Sequence, residues 1–357
     1  MFEESGAVEH ERVVIFNDAQ TGASGAIAIH STSLGPAMGG LRLRRYATLG
    51  DACADVLELA RAMSLKNAAA GLDLGGGKAV LIDDGGWSGP GARAARMRAV
   101  GGVIEELGGR YTTAEDVGTT TADMRAVRSA TRWVAGLPVD FGGRGDPSPV
   151  TARTVFGGIV SGVRRRLDRP DLAGVRVGVQ GAGHVGEALV ALLVEAGADV
   201  TLTDVDAGRA TRVAVAHGAR AVEPEDFVVR ELDVLAPCAF GGAITRANVR
   251  SLRCAVVAGA ANNQLEATDV ADRLAGCDIL YVPDFLANCG GIIHVAGEAQ
   301  DLAEEDVERL VVDAIRRTDS VLDDALAVGR TPLDLAVEYA EARITGGAAS
   351  ARESGVA

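Results

Sequence analysis

The chain alternates between short apolar stretches and longer stretches in which apolar residues recur every three or four positions. Stretches of strand length occur at 12–16, 26–30, 79–82 and 110–114, and again at 175–179, 200–203, 234–236, 255–258 and 279–281. Helical spacing occurs at 50–70, 92–107, 150–166 and 187–196. Strands that alternate with helices predict an α/β fold with largely parallel sheets, covered by helices on both faces.

Glycine and proline interrupt this pattern at two places. The segment 33–42 contains Pro36 and the pair Gly39-Gly40, and it predicts a loop. The segment 141–149 is richer still in both residue types and is the best domain boundary. A chain of 357 residues is too long for one typical core, so two domains are expected.

The second half contains a glycine motif in the strand–turn–helix context that dinucleotide binding requires. The motif is the six-residue run Gly181, Ala182, Gly183, His184, Val185, Gly186. Its first glycine permits a tight turn, its second lets a pyrophosphate approach, and its third lets helix pack on strand. The next strand ends in Asp204, placed to accept from a ribose hydroxyl and to repel a 2′-phosphate, which favours NAD over NADP. Arg209 lies close by and argues for NADP.

Lysine is rare in this chain, and its position is informative. Of 35 basic residues only Lys66 and Lys78 are lysines, and the glycines at 75–77 come just before the second. Two ammonium groups in one pocket would lower the pKa of one of them, which makes a lysine an acid/base group. The alternative is two surface lysines beside an ordinary turn. Asp116 directly follows a predicted strand. A carboxylate in this position is either an active-site group or an ordinary turn residue.

The composition limits the function classes. A net charge of −14 argues against nucleic-acid and anionic membrane partners. The five cysteines are scattered without metal-ligand spacing, so neither a metal site nor a disulfide framework is expected. The N-terminus lacks the plan of a signal peptide, and no apolar run is long enough to span a bilayer, so we expect a cytoplasmic protein.

With both halves considered, the chain resembles the glutamate/leucine/phenylalanine/valine dehydrogenase family, in its branch acting on apolar amino acids. The resemblance covers about 12–343. The motifs that carry it lie at 34–40, 63–68, 75–80, 113–118, 181–186, 258–263 and 283–291. It implies an N-terminal α/β substrate and oligomerisation domain at 1–148, a Rossmann-type doubly wound domain at 149–330, and a cleft between them. Helices at about 331–357 would return to the first domain.

The resemblance also implies a reaction and a role for each matching residue. Lys66 would hold the substrate carboxylate, Lys78 would activate water, and Asp116 would pass protons to and from the amino group. Gly39 and Gly40 would present backbone near the substrate. The expected reaction is NAD-dependent, reversible oxidative deamination by a homo-oligomer, without a metal. The side chains expected to select the substrate are Met38, Ala114, Ile292 and Val295, with Asn262 contacting substrate and cofactor.

Two loops at predicted strand ends, 236–242 and 258–264, are expected to border the cofactor. Besides the glycine motif and Asp204, the expected cofactor contacts are Thr151, Cys238, Ala239, Ala260, Asn262 and Asn288.

Bulky Met38 and Ile292 favour Val, Leu or Ile over Phe or Trp, with an aromatic substrate as the alternative. The sequence departs from the usual family pattern at Leu41 and Cys289.

Two other function classes are open to a chain with this cofactor motif. A 2-hydroxyacid dehydrogenase needs a histidine base with an arginine clamp, but the first half offers only His10 and His30, neither inside a motif. A non-catalytic nucleotide sensor on the same fold would be expected to lack Lys78 or Asp116, and this chain has both.

Overall fold

The computed structural model describes residues 9–227, 230–239 and 241–353. Within these residues the chain forms two compact units. The first contains the described residues of Met1–Asp146, Ile292–Val307 and Ala340–Ala357, and the second contains those of Pro147–Gly291 and Glu308–Tyr339. Each unit has a sheet and helices around its own apolar core. The predicted α/β class and two-domain organisation are confirmed.

In the C-terminal part of the chain, the observed units begin and end at other residues than the predicted segments 149–330 and 331–357. Ile292–Val307 belongs to the first unit, where the Glu298 carboxylate accepts from the backbone amides of Leu137 and Arg144. Conversely, the second unit extends to Tyr339, whose hydroxyl accepts from Arg317. Residues 1–8 and 354–357 of the predicted domains lie outside the described residues.

The first unit contains a mixed five-stranded sheet with the order β1-β2-β4-β3-β5. Its strands are β1 (Arg12–Asn17), β2 (Ser24–Ser31), β3 (Ala37–Arg44), β4 (Gly75–Ile82) and β5 (Tyr111–Glu115). The pairs that include β2 are antiparallel, whereas β3 pairs in parallel with both β4 and β5. The prediction of a largely parallel sheet was therefore wrong for this unit.

The prediction of a loop at 33–42 was also wrong, because most of that segment is the strand β3. Its glycines reflect close packing between neighbouring strands. On β4, the glycines at 75–77 are part of the strand itself, so the alternative of an ordinary turn before Lys78 is wrong. A Cβ added to Gly76 would lie 2.1 Å from the backbone nitrogen of Ser64, so only glycine lets a helix lie this close to β4.

Helices cover both faces of the first sheet. They are α1 (Leu49–Ala69), α2 (Pro90–Glu105) and α3 (Thr121–Arg128). A capping box at Thr48 and Asp51 fixes the start of α1, and one apolar cluster joins α1 to β2 and β4. A second cluster, which includes Met97 and Ile104 of α2, fills the other side of the sheet.

The second unit contains a six-stranded, wholly parallel sheet with the order β11-β10-β9-β6-β7-β8. Its strands are β6 (Arg176–Gln180), β7 (Asp199–Thr203), β8 (Arg220–Ala221), β9 (Val234–Pro237), β10 (Val256–Val257) and β11 (Leu280–Tyr281). The strand order runs outward in both directions from β6, which is the doubly wound topology that the sequence predicts. Ligands bind such sheets at the carboxyl ends of the strands, where the order reverses.

Further helices complete the two units. Those within the second unit are α4 (Ser148–Leu167), α5 (His184–Glu195), α6 (Ala207–His217), α7 (Pro224–Phe227), α8 (Asp269–Gly276) and α9 (Asp284–Ala287). The last three, whose residues are shared between the units, are α10 (Gly290–Ala299), α11 (Glu304–Val328) and α12 (Pro332–Glu353).

Candidate active site

The first unit contains a buried ion pair between two of the residues predicted to be catalytic. Lys78 lies on β4, and its Nζ is 3.0 Å from Oδ2 of Asp116, which follows β5. The Lys78 side chain is only 6% exposed. Gly40 lies on the intervening strand β3, and a Cβ there would come within 2.6 Å of the Asp116 Cβ. The missing side chain at Gly40 therefore makes room for the pair.

The environment of Lys78 favours the neutral form of its amine more than water does, so the amine is more readily available as a base than that of an ordinary lysine. Burial lowers the pKa of Lys78, and the attraction of Asp116 only partly offsets this effect. Burial alone would raise the pKa of Asp116, but the positive charges of Lys78 and Arg42 outweigh it, so the pKa is lowered. The site thus combines an amine that loses its proton readily with a carboxylate that stays ionised.

The cation beside this pair is an arginine. Arg42 on β3 donates from Nε to Oδ2 of Asp116 at 3.1 Å, and its charge contributes to the lowered pKa of Lys78. The sequence-based interpretation assigned that influence to Lys66. Arg42 was missed because its segment was taken for a loop. Recognised as a strand, the segment would have shown Gly40 and Arg42 on one face, since alternate residues of a strand share a face.

Lys66 lies in the last turn of α1 and is half-buried. Its neighbour Asn67 is fully buried and donates from Nδ2 to the carbonyls of Gly75 at 2.6 Å and Met38 at 3.2 Å. These hydrogen bonds fix the end of α1, and with it Lys66, to the beginning of β4 and to β3.

Two of the expected substrate-lining positions, Met38 and Ala114, lie on the strands β3 and β5 of this framework. The Tyr111 hydroxyl, itself fully buried, donates to the Gly39 carbonyl at 2.9 Å and thereby holds the backbone of the glycine pair. Met38 is fully buried. The other expected side chains range from buried to half-buried, and they are Ala114, Val295 and Ile292.

Neither His10 nor His30 offers a comparable acid/base group. His30 Nδ1 is 2.8 Å from the Ser64 hydroxyl, and burial together with nearby His10 lowers its pKa to about 4. His10 Nε2 is 2.9 Å from the Leu57 carbonyl. Both side chains are thus used in packing, which disfavours the 2-hydroxyacid dehydrogenase alternative.

The glycine motif of the second unit has the geometry that a pyrophosphate needs. Gly181 adopts a φ of +110°, a conformation that side chains disfavour, and its amide donates to the Thr203 carbonyl at 2.8 Å. The helix α5 begins directly after Gly183, beside which a Cβ would meet open space. Ala239, one of the expected cofactor contacts, packs against Gly181. A phosphate can therefore approach the N-terminus of α5.

Asp204, at the end of β7, is held in place by backbone amides. Its Oδ2 accepts from Ala182 at 2.7 Å, and its Oδ1 accepts from Asp206 at 2.9 Å. Burial opposes ionisation, but these hydrogen bonds and Arg209 outweigh it, so the pKa of Asp204 is lowered. Arg209 contacts Asp204 and Asp206 at 3.5 Å each. Its charge is thus already shared between two carboxylates.

The loop that carries Asn262 is braced by two buried amides. Gln264 donates to the carbonyls of Gly259 and Ala261, while Asn288 donates to the Ala260 carbonyl at 3.1 Å and to Asn262 Oδ1 at 2.9 Å. Within the described residues, Asn288 Oδ1 is buried without a hydrogen-bond partner. This unused acceptor, the open space at Gly183 and the fixed carboxylate of Asp204 together fit a bound dinucleotide.

Two further expected cofactor residues have structural contacts of their own. The Thr151 hydroxyl donates to the Pro147 carbonyl at 3.0 Å near the start of α4. The Cys238 amide donates to the Gln180 carbonyl at 2.7 Å, which places its backbone directly beside the glycine turn. Burial raises the pKa of the Cys238 thiol to about 12, so this thiol is a neutral packing group.

Comparison with known proteins agrees with both halves of this description. A family profile described as Glu/Leu/Phe/Val dehydrogenase, dimerisation domain, matches residues 10–133, and one described as Glutamate/Leucine/Phenylalanine/Valine dehydrogenase matches 201–314. A leucine dehydrogenase from Bacillus subtilis (strain 168) is 43% identical over 290 residues, 81% of this chain and 79% of that protein. The chain belongs to this dehydrogenase family.

Two other members illustrate the range of the family. A valine dehydrogenase from Streptomyces virginiae is 45% identical over 318 residues, 88% of this chain and 87% of that protein. The crystal structure of L-tryptophan dehydrogenase from Nostoc punctiforme superposes with a TM-score of 0.85 and 35% identity, covering 97% of this chain and 99% of that one. This dehydrogenase is therefore an oxidoreductase that acts on the CH–NH2 group of a small molecule with a nicotinamide cofactor. Among its described helices, none is long and apolar enough to cross a membrane.

The two departures from the usual family pattern are both buried in this dehydrogenase. Leu41 is fully buried in the apolar core of the first unit. Because Gly40 and Arg42 precede and follow it on β3, its side chain points to the opposite face from theirs. Cys289 is also buried, between α9 and α10. Leu41 thus serves packing rather than the face of the sheet that carries Lys78 and Asp116.

Proposed function

We propose that the enzyme catalyses the reversible, NAD-dependent oxidative deamination of a branched-chain L-amino acid to the 2-oxo acid, ammonia and NADH. The observation that carries the proposal is the buried Lys78–Asp116 pair, with Lys66 fixed near the beginning of the same strand β4. A nicotinamide cofactor held by the glycine motif at 181–186 and Asp204 would supply a hydride acceptor for the substrate α-carbon, and loss of the hydride would leave an iminium group on the substrate.

The residues of the first unit supply the remaining chemistry. The Lys66 ammonium binds the substrate carboxylate, and the carbonyls of Gly39 and Gly40 orient the amino group. Lys78, whose pKa is lowered by burial, takes a proton from water as its oxygen attacks the iminium carbon. Asp116 accepts a proton from the substrate ammonium before the hydride leaves and returns it to the nitrogen of the carbinolamine that water addition forms. The C–N bond then breaks, ammonia leaves, and the hydroxyl proton passes to the Asp116 carboxylate as the carbonyl forms. Because Asp116 contacts Lys78 directly, the two groups titrate as a coupled pair.

The proposed substrate class follows from similar enzymes and from side-chain volume. Relatives that act on leucine and valine are 43% and 45% identical to this chain. We propose that Met38, Ala114, Ile292 and Val295 line the side-chain pocket, where two bulky apolar residues leave room for a branched chain and less for a ring. The structural match to a tryptophan dehydrogenase favours an aromatic substrate as the second candidate.

An amino-acid panel tests this proposal. We expect Val, Leu and Ile to give kcat/KM values about 10- to 100-fold above those of Phe and Trp, because one misplaced methylene changes discrimination by about 1–3 kcal/mol. NADH formation at alkaline pH measures each rate, with NADP run beside NAD. Higher values for Phe or Trp would select the aromatic candidate. No reaction with any amino acid would favour a nucleotide sensor instead.

We assign NAD rather than NADP to the enzyme because of Asp204, and this assignment has its own test. In Asp204→Asn the acceptor shape remains but the negative charge is lost, so repulsion of a 2′-phosphate disappears and Arg209 is partly released. We expect the NADP/NAD ratio of kcat/KM to rise about 10- to 100-fold, since hydrogen bonds to charged groups are worth about 1.5–3 kcal/mol.

Asp206→Asn is the matched control for this experiment. It removes the other carboxylate that contacts Arg209 but leaves the end of β7 intact, so the cofactor ratio should change little. Titration of each variant with NAD and NADP, followed by protein fluorescence, gives affinities without turnover. An unchanged ratio in Asp204→Asn would remove the basis for the NAD assignment.

We also infer that the enzyme is a cytoplasmic homo-oligomer with small-molecule rather than nucleic-acid or membrane partners. The dimerisation-domain profile covers most of the first unit's contiguous segment, and the net charge of −14 disfavours binding to polyanions.

A further inference from the structure

Arg42 joins the catalytic pair to a second carboxylate. Its Nε donates to Asp116 Oδ2 at 3.1 Å, and its Nη1 donates to Asp55 Oδ2 on α1 at 3.3 Å. The Tyr46 hydroxyl also donates to Asp55 Oδ2. We call these five residues, Lys78, Asp116, Arg42, Asp55 and Tyr46, the Arg42 cluster. Within this cluster, carboxylates and cations alternate from Asp55 on α1 to the buried Lys78.

The geometry points to Arg42 as a positioning residue: it holds the Asp116 carboxylate beside Lys78, and Asp55 and Tyr46 hold Arg42. The inference rests on the proposed roles of Lys78 and Asp116. Arg42 and Lys78 both contact Oδ2 of Asp116, so two cations hold this one oxygen of the carboxylate. The proton exchange with the substrate nitrogen is then assigned to the other oxygen, Oδ1.

The burial of the cluster distinguishes it from surface ion pairs. The side chains of Arg42 and Asp116 are only 16% and 21% exposed, whereas exposed pairs hold side chains weakly. A guanidinium is planar and always charged, so it donates to two carboxylates from one fixed plane. With Arg42 in place, Asp116 cannot rotate away from Lys78 without leaving a buried cation unpaired.

Arg42 also affects the proton affinities of the two groups. Asp116 faces Lys78 from β4, Arg42 from β3 and the Val117 amide, while Arg42 faces Asp116, Asp55 and Tyr46. Removing the Arg42 charge removes a cation that lowers the pKa of Lys78 and of Asp116. Both pKa values should therefore rise, and the alkaline pH at which Lys78 becomes a base should move upward.

The variant Arg42→Gln tests the positioning role. We expect kcat for deamination to fall about 10- to 100-fold, since small misplacements of reacting groups cost up to about 10², while KM changes by less than about threefold. The pH profile of kcat should shift to higher pH. Asp55→Asn, which loosens Arg42 without removing its charge, should also lower kcat, to a smaller extent. Its pH profile should shift the other way, to lower pH, because the Asp55 charge that is lost raises the pKa of Lys78 in the wild type. Arg42→Lys should recover part of the rate.

Arg96→Gln is the matched control, because Arg96 also holds a carboxylate, that of Asp84, and a backbone carbonyl in the same unit. It should lower stability without shifting the pH profile. If Arg42→Gln folds poorly, Asp55→Asn and Arg42→Lys carry the test, together with rescue of Arg42→Ala by added guanidinium.

Each outcome decides one question. A wild-type enzyme without amino-acid-dependent NADH formation refutes the proposed function itself. An active wild type whose Arg42→Gln variant matches Arg96→Gln, with an unshifted pH profile, refutes the positioning role alone. A large rise in KM with unchanged kcat would make Arg42 a substrate-binding residue and would also overturn the inference.

Discussion

Lys78→Ala is expected to lower kcat about 10²- to 10⁴-fold, the range that a positioned general base contributes. The loss should fall on kcat rather than on KM, because Lys78 is buried against Asp116 and acts on water rather than on the substrate carboxylate. Added primary amines of small size should restore part of the rate by entering the space that the side chain leaves. Lys78→Arg, which keeps the charge but cannot lose its proton, should be as inactive as Lys78→Ala.

Lys66→Ala provides the contrast to Lys78→Ala, because Lys66 is proposed to bind substrate. It should raise KM about 10- to 100-fold, the value of a charge-assisted hydrogen bond, with a smaller effect on kcat. Equal and mild effects of the two substitutions would contradict the assigned roles.

The pH dependence of the wild type tests the same base. The pKa of Lys78 is lowered by burial, so kcat for deamination should rise with pH and level off below about 10.4, the ordinary lysine value. The rate rises rather than falls with pH because only the neutral amine of Lys78 can accept a proton from water. This alkaline rise should be absent in Lys78→Ala rescued by an amine of different pKa, whose own titration should replace it.

The sequence alone predicted the parts of the site that depend on local pattern. The strand–turn–helix signal around Gly181 and the acid at 204 follow from short-range rules, and in the structure they lie together at the end of the second sheet. Lys78 and Asp116 could each be placed at the end of a predicted strand by the same rules, whereas their meeting in one site was implied by the family resemblance alone.

The parts that failed depend on contacts between distant segments. Nothing local to 33–42 shows that Gly39 and Gly40 lie between two strands, because the backbone atoms that occupy their missing Cβ positions belong to residues far along the chain. The strand β3 was missed, and Arg42 was missed with it. Likewise, Ile292–Val307 belongs to the first unit through contacts such as that of Glu298 with the Leu137 amide, which separate segments of the chain make only after folding.

Asp116→Asn should impair both activity and stability. We expect kcat to fall about 10²- to 10⁴-fold, because an amide cannot accept the proton that Asp116 is proposed to exchange with the substrate nitrogen. Removing one partner of a buried ion pair typically costs about 3–5 kcal/mol, so the melting temperature should fall as well. The measurements are steady-state kinetics and thermal unfolding of the apoenzyme, with Arg96→Gln as the control for the loss of an ion pair elsewhere in the unit.

The stability loss in Asp116→Asn should depend on pH, and its direction follows from Lys78. Without the carboxylate, the buried amine loses its main attraction and its folded-state pKa falls further below the unfolded value of about 10.4. Below about pH 10.4 the unfolded chain binds a proton on Lys78 that the folded variant binds less readily, and this difference destabilises the fold. The destabilisation is full at neutral pH and becomes smaller as the pH rises toward about 10.4. The difference in melting temperature between wild type and variant should therefore narrow between about pH 7 and pH 10.

Adding Lys78→Met to Asp116→Asn should recover part of the lost stability, because the uncompensated amine is then gone. Activity should stay at the level of the single variants. A stability loss that is constant with pH and unaffected by Lys78→Met would show that Asp116 supports the fold through its Arg42 and backbone contacts alone. In that case the coupling between Lys78 and Asp116, on which the proposed proton transfer depends, would be too weak to serve it.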